Sequence, residues 1–333
     1  MTPLNEVIIN KKTNINPVWI MRQAGRYLPE FRKIRKENPN FIELCLNERL
    51  SSEITLQPIK RFDLDAAIIF SDILMLPYGL KQKVEFKKNF GPMLGDLDIS
   101  KMSKIDEVDF VEKIYTVYKA IKSVSTEMNI KNKNTIGFVG APWTLLVYMI
   151  NQQSPKKNIK KNFFKDEYLI NRILLIIEKF LKIHIKNQVD SGANVIQIFD
   201  SWAGLLEEID YPNYIYTPTL NLVNYVKSLK VPVICFPREI KNYKEFCEIV
   251  NPDVVSIDYN VDPLTISKNI KIPVQGGLDP KILLTNQENL KKETLRYLDI
   301  FKDHPYIFNL GHGILPETDP AMVEYLINTV RDY

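Results

Sequence analysis

The sequence has few of the residues from which disulfide frameworks and metal centres are built. It contains three cysteines and three histidines among 333 residues. Cys45, Cys235 and Cys247 are an odd number in a large chain, which argues against a disulfide framework and favours a reducing compartment. No cysteine stands beside His304 or His312, so a zinc site of closely grouped ligands is not indicated.

Long apolar runs, nucleotide motifs and a strong charge of one sign are also missing. No stretch approaches the roughly 18 uninterrupted apolar residues of a membrane helix, and the first residues do not resemble a secretion signal. No Gly-x-Gly-x-x-Gly opens a helix, and no phosphate-binding Gly-Lys-Ser/Thr is present. The formal net charge of +4, from 44 basic and 40 acidic residues, does not indicate nucleic-acid binding. We therefore expect a cytoplasmic protein that uses no metal or nucleotide cofactor and binds no membrane.

The sequence does contain eight short apolar runs, separated by stretches with helical periodicity. In the helical stretch from Leu169 to Val189, apolar side chains and His184 recur on one face at spacings of three and four. Alternating strands and helices predict parallel pairing, because a parallel connection needs a crossover of about a dozen residues or more. The predicted strands are Val18–Met21, Ala66–Phe70, Ile136–Val139, Val195–Phe199, Pro232–Phe236, Val254–Ile257, Ile272–Gln275 and Tyr306–Leu310.

Three Asp-Pro pairs follow the last three strands, and this pair is typical of a helix N-cap and first helical residue. They are Asp262-Pro263, Asp279-Pro280 and Asp319-Pro320. Eight strand–helix units predict a single-domain α/β protein over residues 1–333, a (β/α)8 TIM barrel. An open doubly wound sheet is the alternative, because neither strand order nor closure can be read from one sequence. Residues 76–104 and 151–166 are interpreted as insertions.

Unusual polar residues and glycines follow the carboxyl ends of all eight predicted strands, the face on which barrel enzymes build their active sites. They are Arg22 and Arg26, Ser71 and Asp72, Pro142 to Thr144, Asp200 to Trp202, Arg238, Asp258 and Tyr259, Gly276 to Asp279, and Gly311 to Gly313. Arg22 and Arg26 have a glycine between them, where the backbone can turn, and paired guanidinium groups suit a polyanion. Two solvated arginines at a helix start are the simpler interpretation of that pair.

Two long segments resemble the signatures of the uroporphyrinogen decarboxylase family. They are PVWIMRQAGRYLPEF at residues 17–31 and GFVGAPWT at residues 137–144. Shorter pieces resemble the same family in the same order, so that the resemblance covers nearly the whole chain. These pieces are FSDI at 70–73, FDSWAG at 199–204, QGGLD at 275–279 and NLGHG at 309–313.

The resemblance implies a cytoplasmic homodimer that decarboxylates the four acetate arms of uroporphyrinogen III to coproporphyrinogen III in haem and chlorophyll biosynthesis. No cofactor is expected, because a pyrrole protonated beside the acetate can itself accept the electrons left by carbon dioxide. It further implies that Asp72 accepts hydrogen bonds from the pyrrole N–H groups and that Arg22 and Arg26 bind the reacting acetate. The other implied substrate-binding residues are Arg35, Tyr148, Ser201 and His312, with backbone amides at Gln23 and Ala24.

Each implied role has a structural alternative. Asp72 could only cap the following helix, Tyr148 could belong to the core with its hydroxyl near the surface, and Ser201 could be a turn residue. Whether Arg22 also delivers the proton stays open, because an ordinary guanidinium pKa above about 12 makes a weak general acid.

Two other functions compete with decarboxylation. Cobamide-dependent methyltransferases resemble the family at the level of the barrel, but they hold zinc with a His-x-Cys unit, and neither Cys235 nor Cys247 has an adjacent histidine. A catalytically silent porphyrin carrier is the other alternative, and the presence of both Arg22 and Asp72 argues against it.

Overall fold

The computed structural model describes residues 1–87, 90–155 and 166–333. Seven strands form one wholly parallel sheet in the order β1-β4-β5-β6-β7-β8-β9, and β2 and β3 form a separate antiparallel hairpin. The strands are β1 Ala66–Ile68, β2 Val84–Lys87, β3 Gly91–Leu94, β4 Asn134–Gly140, β5 Val195–Asp200, β6 Val233–Pro237, β7 Val254–Ile257, β8 Val274–Gly276 and β9 Tyr306–Ile307.

The helices mostly connect consecutive strands of the sheet and pack on its outer side, except that the first helix packs against side chains inside the barrel. They are α1 Pro3–Ile8, α2 Pro29–Glu37, α3 Phe41–Cys45, α4 Glu48–Arg61, α5 Met75–Gly79, α6 Ile99–Met102, α7 Glu107–Ile130, α8 Pro142–Asn151, α9 Glu167–Asp190, α10 Thr217–Ser228, α11 Tyr243–Val250, α12 Pro263–Asn269, α13 Gln287–Phe301 and α14 Pro320–Arg331. In α9, Ile173, Ile177 and Phe180 are buried as the periodicity predicts. His184 is also buried, with its Nδ1 2.9 Å from the Tyr118 hydroxyl, and burial lowers its pKa to about 3. It is a core histidine.

The closing segment, residues 18–21 between α1 and α2, joins the two edges of the sheet into a barrel. Val18 pairs in parallel with Phe308, directly after β9. On the other side, the Asp65 N–H donates to the Val18 carbonyl at 2.9 Å, directly before β1. The two edges of the seven-stranded sheet therefore meet at this segment, and the predicted TIM barrel is confirmed.

This closing segment occupies the position of the first predicted strand but does not form a regular strand. Three of its amides donate to side-chain oxygens instead of a neighbouring backbone, which replaces most of the expected ladder. These hydrogen bonds run from Val18 to Asp65 at 2.6 Å, from Ile20 to Gln23 at 2.9 Å and from Met21 to Asn309 at 2.9 Å. Arg331, at the end of α14, also donates to Asp65 at 2.8 Å and so ties the carboxyl-terminal helix to the closure.

Buried side chains alternate between the two faces of the sheet, as expected for a period of two residues. Ile136 and Val195 are paired in register and belong to an inner cluster, against which the apolar side of α1 packs. Ile196 and Val255 belong to the larger cluster between the strands and the outer helices. The fold therefore holds the carboxyl ends of the strands together at one end of the barrel.

The predicted helix starts and insertions have mixed outcomes. Asp262 and Asp319 accept amide hydrogen bonds at the starts of α12 and α14, as predicted. Asp279 also accepts an amide hydrogen bond, but it begins a 3-10 helix over Pro280–Leu284, and α13 starts later. Segment 76–104 contains the β2–β3 hairpin. In segment 151–166, residues 156–165 lie outside the described residues. No helix in the described part of the chain is long and apolar enough to cross a membrane.

Candidate active site

Arg22 itself makes the turn that ends the closing segment. Its φ of 64° lies in the left-handed region, which is uncommon for a residue with a side chain and is found at strained functional positions. Gly25, which the sequence suggested as the turning residue, does not have a positive φ. A Cβ at Gly25 would instead lie 2.8 Å from the Arg22 carbonyl oxygen, so the glycine is required by close approach.

The Arg22 side chain keeps access to solvent while protein groups surround it on its other sides. Desolvation lowers the pKa of Arg22, the negative charge of Asp72 and the ionised form of Tyr148 oppose that effect, and the positive charge of Arg26 adds to it. Four of the predicted site residues are therefore close enough for their charges to interact: Arg22, Arg26, Asp72 and Tyr148. The guanidinium is thus exposed to one carboxylate and two like charges, Arg26 and Arg238, and it has capacity for further anions.

Asp72 lies between β1 and α5, and its two carboxylate oxygens have different surroundings. Oδ1 accepts the Leu74 N–H at 2.8 Å in the turn before α5. The structural alternative, a cap on the following helix, is wrong, because the N-cap of α5 is Leu74 and no side chain caps it. Oδ2 has no hydrogen-bond donor among the described residues. Burial raises the pKa of Asp72 to about 6, against the lowering effects of the Leu74 amide and of Arg22. One oxygen therefore fixes the side chain, and the other remains available to a ligand.

Tyr148, on α8, lies near enough to Asp72 and Arg22 for both charges to act on it. Burial and the charge of Asp72 together raise its pKa to about 12, against the lowering effect of Arg22. The Trp202 ring packs edge-on against the Tyr148 ring, with 5.8 Å between the ring centroids. The phenol therefore has its proton at neutral pH and can donate it in a hydrogen bond.

A buried carboxyl group joins the end of β5 to α8 behind this tyrosine. Thr144 donates its hydroxyl hydrogen to Asp200 Oδ1 at 2.6 Å, and the Thr144 hydroxyl oxygen accepts the Trp202 N–H at 3.2 Å. Burial raises the pKa of Asp200 to about 7, and its Oδ2 has no partner within the described residues. Ser201 lies between Asp200 and Trp202 in the sequence. It is half-buried, and its side chain makes no hydrogen bond to the described part of the chain.

His312 is positioned by the two glycines that flank it. A Cβ at Gly311 would overlap the Asp258–Tyr259 backbone, and a Cβ at Gly313 would overlap the Arg22 side chain. Desolvation, together with the nearby positive charge of Arg22, lowers the pKa of His312 to about 4. The imidazole is therefore neutral at physiological pH and can offer one donor and one acceptor.

Arg26 and Arg35 extend the positive charge away from Arg22. Arg35 donates to the Asn38 carbonyl at 2.6 Å, and its guanidinium lies 5.7 Å from the centre of the Phe41 ring. Desolvation lowers the pKa of Arg35, and the charge of Arg26 lowers it further. Arg26 therefore acts on both Arg22 and Arg35, which makes these three arginines one continuous positive region.

The two predicted backbone donors differ in their availability. The Gln23 N–H donates to the Ile20 carbonyl at 2.9 Å, and the buried Gln23 side chain bonds to the Ala66 carbonyl at 2.9 Å. Gln23 is thus occupied by barrel closure, and its amide is not a free donor. The Ala24 N–H has no acceptor among the residues that the structure describes.

Arg238, after β6, is a further cation at this face that was not among the predicted site residues. Its charge lowers the pKa of both Arg22 and His312. The signal available in the sequence was its place after the fifth predicted strand. No group of three or more potential metal ligands occurs among the described residues, and Cys45 and Cys235 are buried.

The assembled groups are suited to binding a polyanion with hydrogen-bond donors at its centre. Arg22 lies near one carboxylate that has a free oxygen, Arg26, Arg35 and Arg238 extend the positive charge, and a neutral imidazole and a phenol supply further hydrogen bonds. Groups held in this way need little reorganisation when charge develops on a bound molecule.

Comparison with known proteins places this chain beside relatives of one kind. The family model described as uroporphyrinogen decarboxylase matches residues 1–333. A uroporphyrinogen decarboxylase from Rickettsia bellii (strain RML369-C) is 42% identical over 332 residues, covering 98% of this chain and 97% of its own length. A second, from Rickettsia felis (strain ATCC VR-1525 / URRWXCal2), is 40% identical over 339 residues, covering 99% and 97%.

Among solved structures, a methyltransferase from Methanosarcina mazei superimposes with a TM-score of 0.79 and covers 99% of this chain and 97% of that chain. At 15% identity, this likeness concerns the fold alone.

Proposed function

The chain belongs to the uroporphyrinogen decarboxylase family, and from this premise we propose that it decarboxylates the four acetate arms of uroporphyrinogen III to give coproporphyrinogen III. The observation that carries the proposal is the convergence of Arg22, Asp72, Tyr148 and His312 at one end of the barrel. A carboxylate among arginines matches a substrate with pyrrole N–H groups at its centre and carboxylates at its edge.

Asp72 is the central anchor in this proposal. Its free Oδ2 accepts hydrogen bonds from pyrrole N–H groups, and its negative charge offsets the positive charge that develops when a pyrrole carbon is protonated. The bond from Leu74 to Oδ1 holds the carboxylate in place before the substrate arrives. Such preorganised electrostatic groups commonly contribute about 3 kcal/mol or more to transition-state stabilisation.

The arginines hold the acetate that reacts and its neighbours. Arg22 lies beside Asp72 and binds the reacting carboxylate, and Arg26 binds an adjacent one. Arg35, Ser201, Tyr148 and His312 bind further carboxylates of the macrocycle, and the Ala24 N–H, in place of that of Gln23, is the backbone donor. Binding energy from these distant groups is used to hold the reacting carbon in position.

We assign the proton that reaches the ring to Arg22. Its pKa is lowered by desolvation, which makes the guanidinium a stronger acid than an arginine in water. A proton from Arg22, directly or through water, reaches the ring carbon next to the one that bears the acetate arm, which leaves a positive charge on the pyrrole. The bond between the methylene and the carboxylate then breaks, carbon dioxide leaves, and the electron pair of that bond forms a double bond between the methylene and the ring, which neutralises the charge. The methylene carbon takes up a second proton, from solvent, and becomes a methyl group. The first proton leaves the ring carbon and returns to Arg22, which restores the pyrrole.

The proposed reaction is tested by incubating the purified protein anaerobically with uroporphyrinogen III and no added cofactor. Oxidation of the products and chromatography then separate porphyrins by their number of carboxyl groups. We expect the eight-carboxyl species to disappear and the four-carboxyl species to accumulate. Persistence of the eight-carboxyl species with correctly folded protein would contradict the proposal.

The assembly and location are also part of the proposal. We propose a single domain over residues 1–333 that forms a homodimer, by analogy with the family. Sedimentation velocity would distinguish the 38.8 kDa monomer from a species of twice that mass. The free thiols of Cys45, Cys235 and Cys247 support a reducing compartment such as the cytoplasm.

A further inference from the structure

Arg238 is held rigidly at the carboxyl end of β6. Its N–H donates to the Asp200 carbonyl at 3.1 Å, and its own carbonyl accepts the Gly204 N–H at 3.1 Å. The next residue, Glu239, has a φ of 61°, and its N–H donates to Asp258 Oδ2 at 2.8 Å. The backbone of this turn is therefore tied to the ends of both neighbouring strands.

The Arg238 side chain is largely covered by protein, with a relative exposure of 19%. Its Nη2 pairs with the Glu239 carboxylate. Its Nε is buried and has no acceptor among the described residues. A buried N–H of a charged group without a partner is costly, and such groups call for an explanation. An acceptor that is not part of the chain would supply one.

The surroundings of Arg238 indicate the kind of acceptor. Its positive charge acts on Arg22 and on His312, and Asp258 is the nearby negative group that acts on His312. In the free protein, Arg238 and Arg22 repel each other. An anion bound between them would relieve this repulsion.

We infer that Arg238 is a substrate-binding residue that donates through its guanidinium to one carboxylate of the tetrapyrrole, and that Glu239 orients the guanidinium by holding Nη2. This inference rests on the proposed function. Arg238 would add a carboxylate-binding position near Arg22 and His312. Arg26 and Arg35 are remote from Arg238 in the sequence. The planar guanidinium is better suited to this than an ammonium group, because two of its edges can be used at once.

The simpler role for Arg238 is to neutralise Glu239. The variants Arg238→Gln, Glu239→Gln and the double variant separate the two roles, measured as kcat and KM for uroporphyrinogen III together with thermal stability. If Arg238 binds substrate, Arg238→Gln raises KM about tenfold or more, the value expected for one hydrogen bond to a charged group. The double variant then keeps this defect, because removing Glu239 does not restore the lost donor.

Restoration of the wild-type KM in the double variant would overturn the inference, as would an unchanged KM in Arg238→Gln. Arg238→Lys provides a second variant that keeps the charge, and we expect it also to raise KM because it lacks the fork. A normal KM in that variant would likewise count against binding through the guanidinium fork.

Lys241→Gln is the matched control for loss of a positive charge. Lys241 is exposed, belongs to the same loop and pairs with Glu207 at 3.2 Å. We expect its KM to stay within about twofold of wild type, since an exposed ion pair contributes little. Absence of turnover in the wild-type protein would refute the proposed function itself, whereas the inference about Arg238 fails only where wild type is active and the Arg238 variants bind normally.

Discussion

Gly313 limits the space available to the Arg22 side chain, and this gives a sharp prediction. A Cβ at Gly313 would lie 2.8 Å from Arg22 Cγ and 2.9 Å from Nε, inside ordinary van der Waals contact. Gly313 has no positive φ, so alanine fits its backbone conformation. In Gly313→Ala, we therefore expect the Arg22 side chain to move while the surrounding backbone stays in place.

The magnitude follows from the size of this displacement. The closest atom is Arg22 Cδ, so restoring contacts of about 3.5 to 4 Å requires the side chain to shift by about 1.2 to 1.7 Å. A misplacement of about 1 Å can reduce the catalytic rate about 100-fold, which corresponds to about 3 kcal/mol of transition-state stabilisation. The free energy of unfolding should change by less than about 1 kcal/mol, because a side chain with solvent access can move without leaving a cavity.

The assay is a double-mutant cycle in kcat/KM, with Gly313→Ala, Arg22→Gln and both together. If the new methyl group acts by displacing Arg22, it should have little further effect once the guanidinium has been removed. The melting temperature of each variant serves as the control for folding. Near-normal turnover in Gly313→Ala, or an effect that is fully retained without Arg22, would refute the reasoning.

Two further predictions concern ionisation and closure. Because burial raises the pKa of Asp72 to about 6, the kcat/KM of the wild-type protein should fall as the pH drops through 6, where protonation removes the acceptor; a flat profile from pH 5 to 8 would contradict this. Asp65→Ala should cost about 2 to 4 kcal/mol in urea unfolding, because it leaves the Val18 N–H and part of Arg331 unpaired. Asp63→Ala is the control, because Asp63 is 70% exposed and pairs with the same arginine; an equal loss in both variants would contradict the role in closure.

The periodicity of the sequence was sufficient to predict most of the barrel. Strand β7 was predicted with its observed bounds, and the capped starts of α12 and α14 follow from local backbone chemistry. The closing segment departed from a regular strand because side chains distant in sequence, such as Asp65 and Asn309, take its amide hydrogens. Such acceptors are defined only once the chain has folded, and no local pattern reports them.

The sequence predicted which residues form the candidate site better than it predicted how they are arranged. Strand ends and the family resemblance indicated Asp72 and His312, but they gave no sign that Asp72 uses one oxygen for a turn and keeps the other free. Gln23 was expected to offer a donor, yet its polar groups are consumed by the barrel. Arg238 was passed over because its unpaired Nε depends on packing between two strand ends.

The most direct test of the account is the turnover of uroporphyrinogen III by Asp72→Asn. Asparagine keeps the shape and an acceptor for the Leu74 N–H, so the melting temperature should remain close to that of the wild type. The charge opposite the pyrroles is lost, and kcat/KM should fall about 100-fold or more. Turnover near the wild-type value in this folded variant would contradict the role of Asp72 as the central anchor.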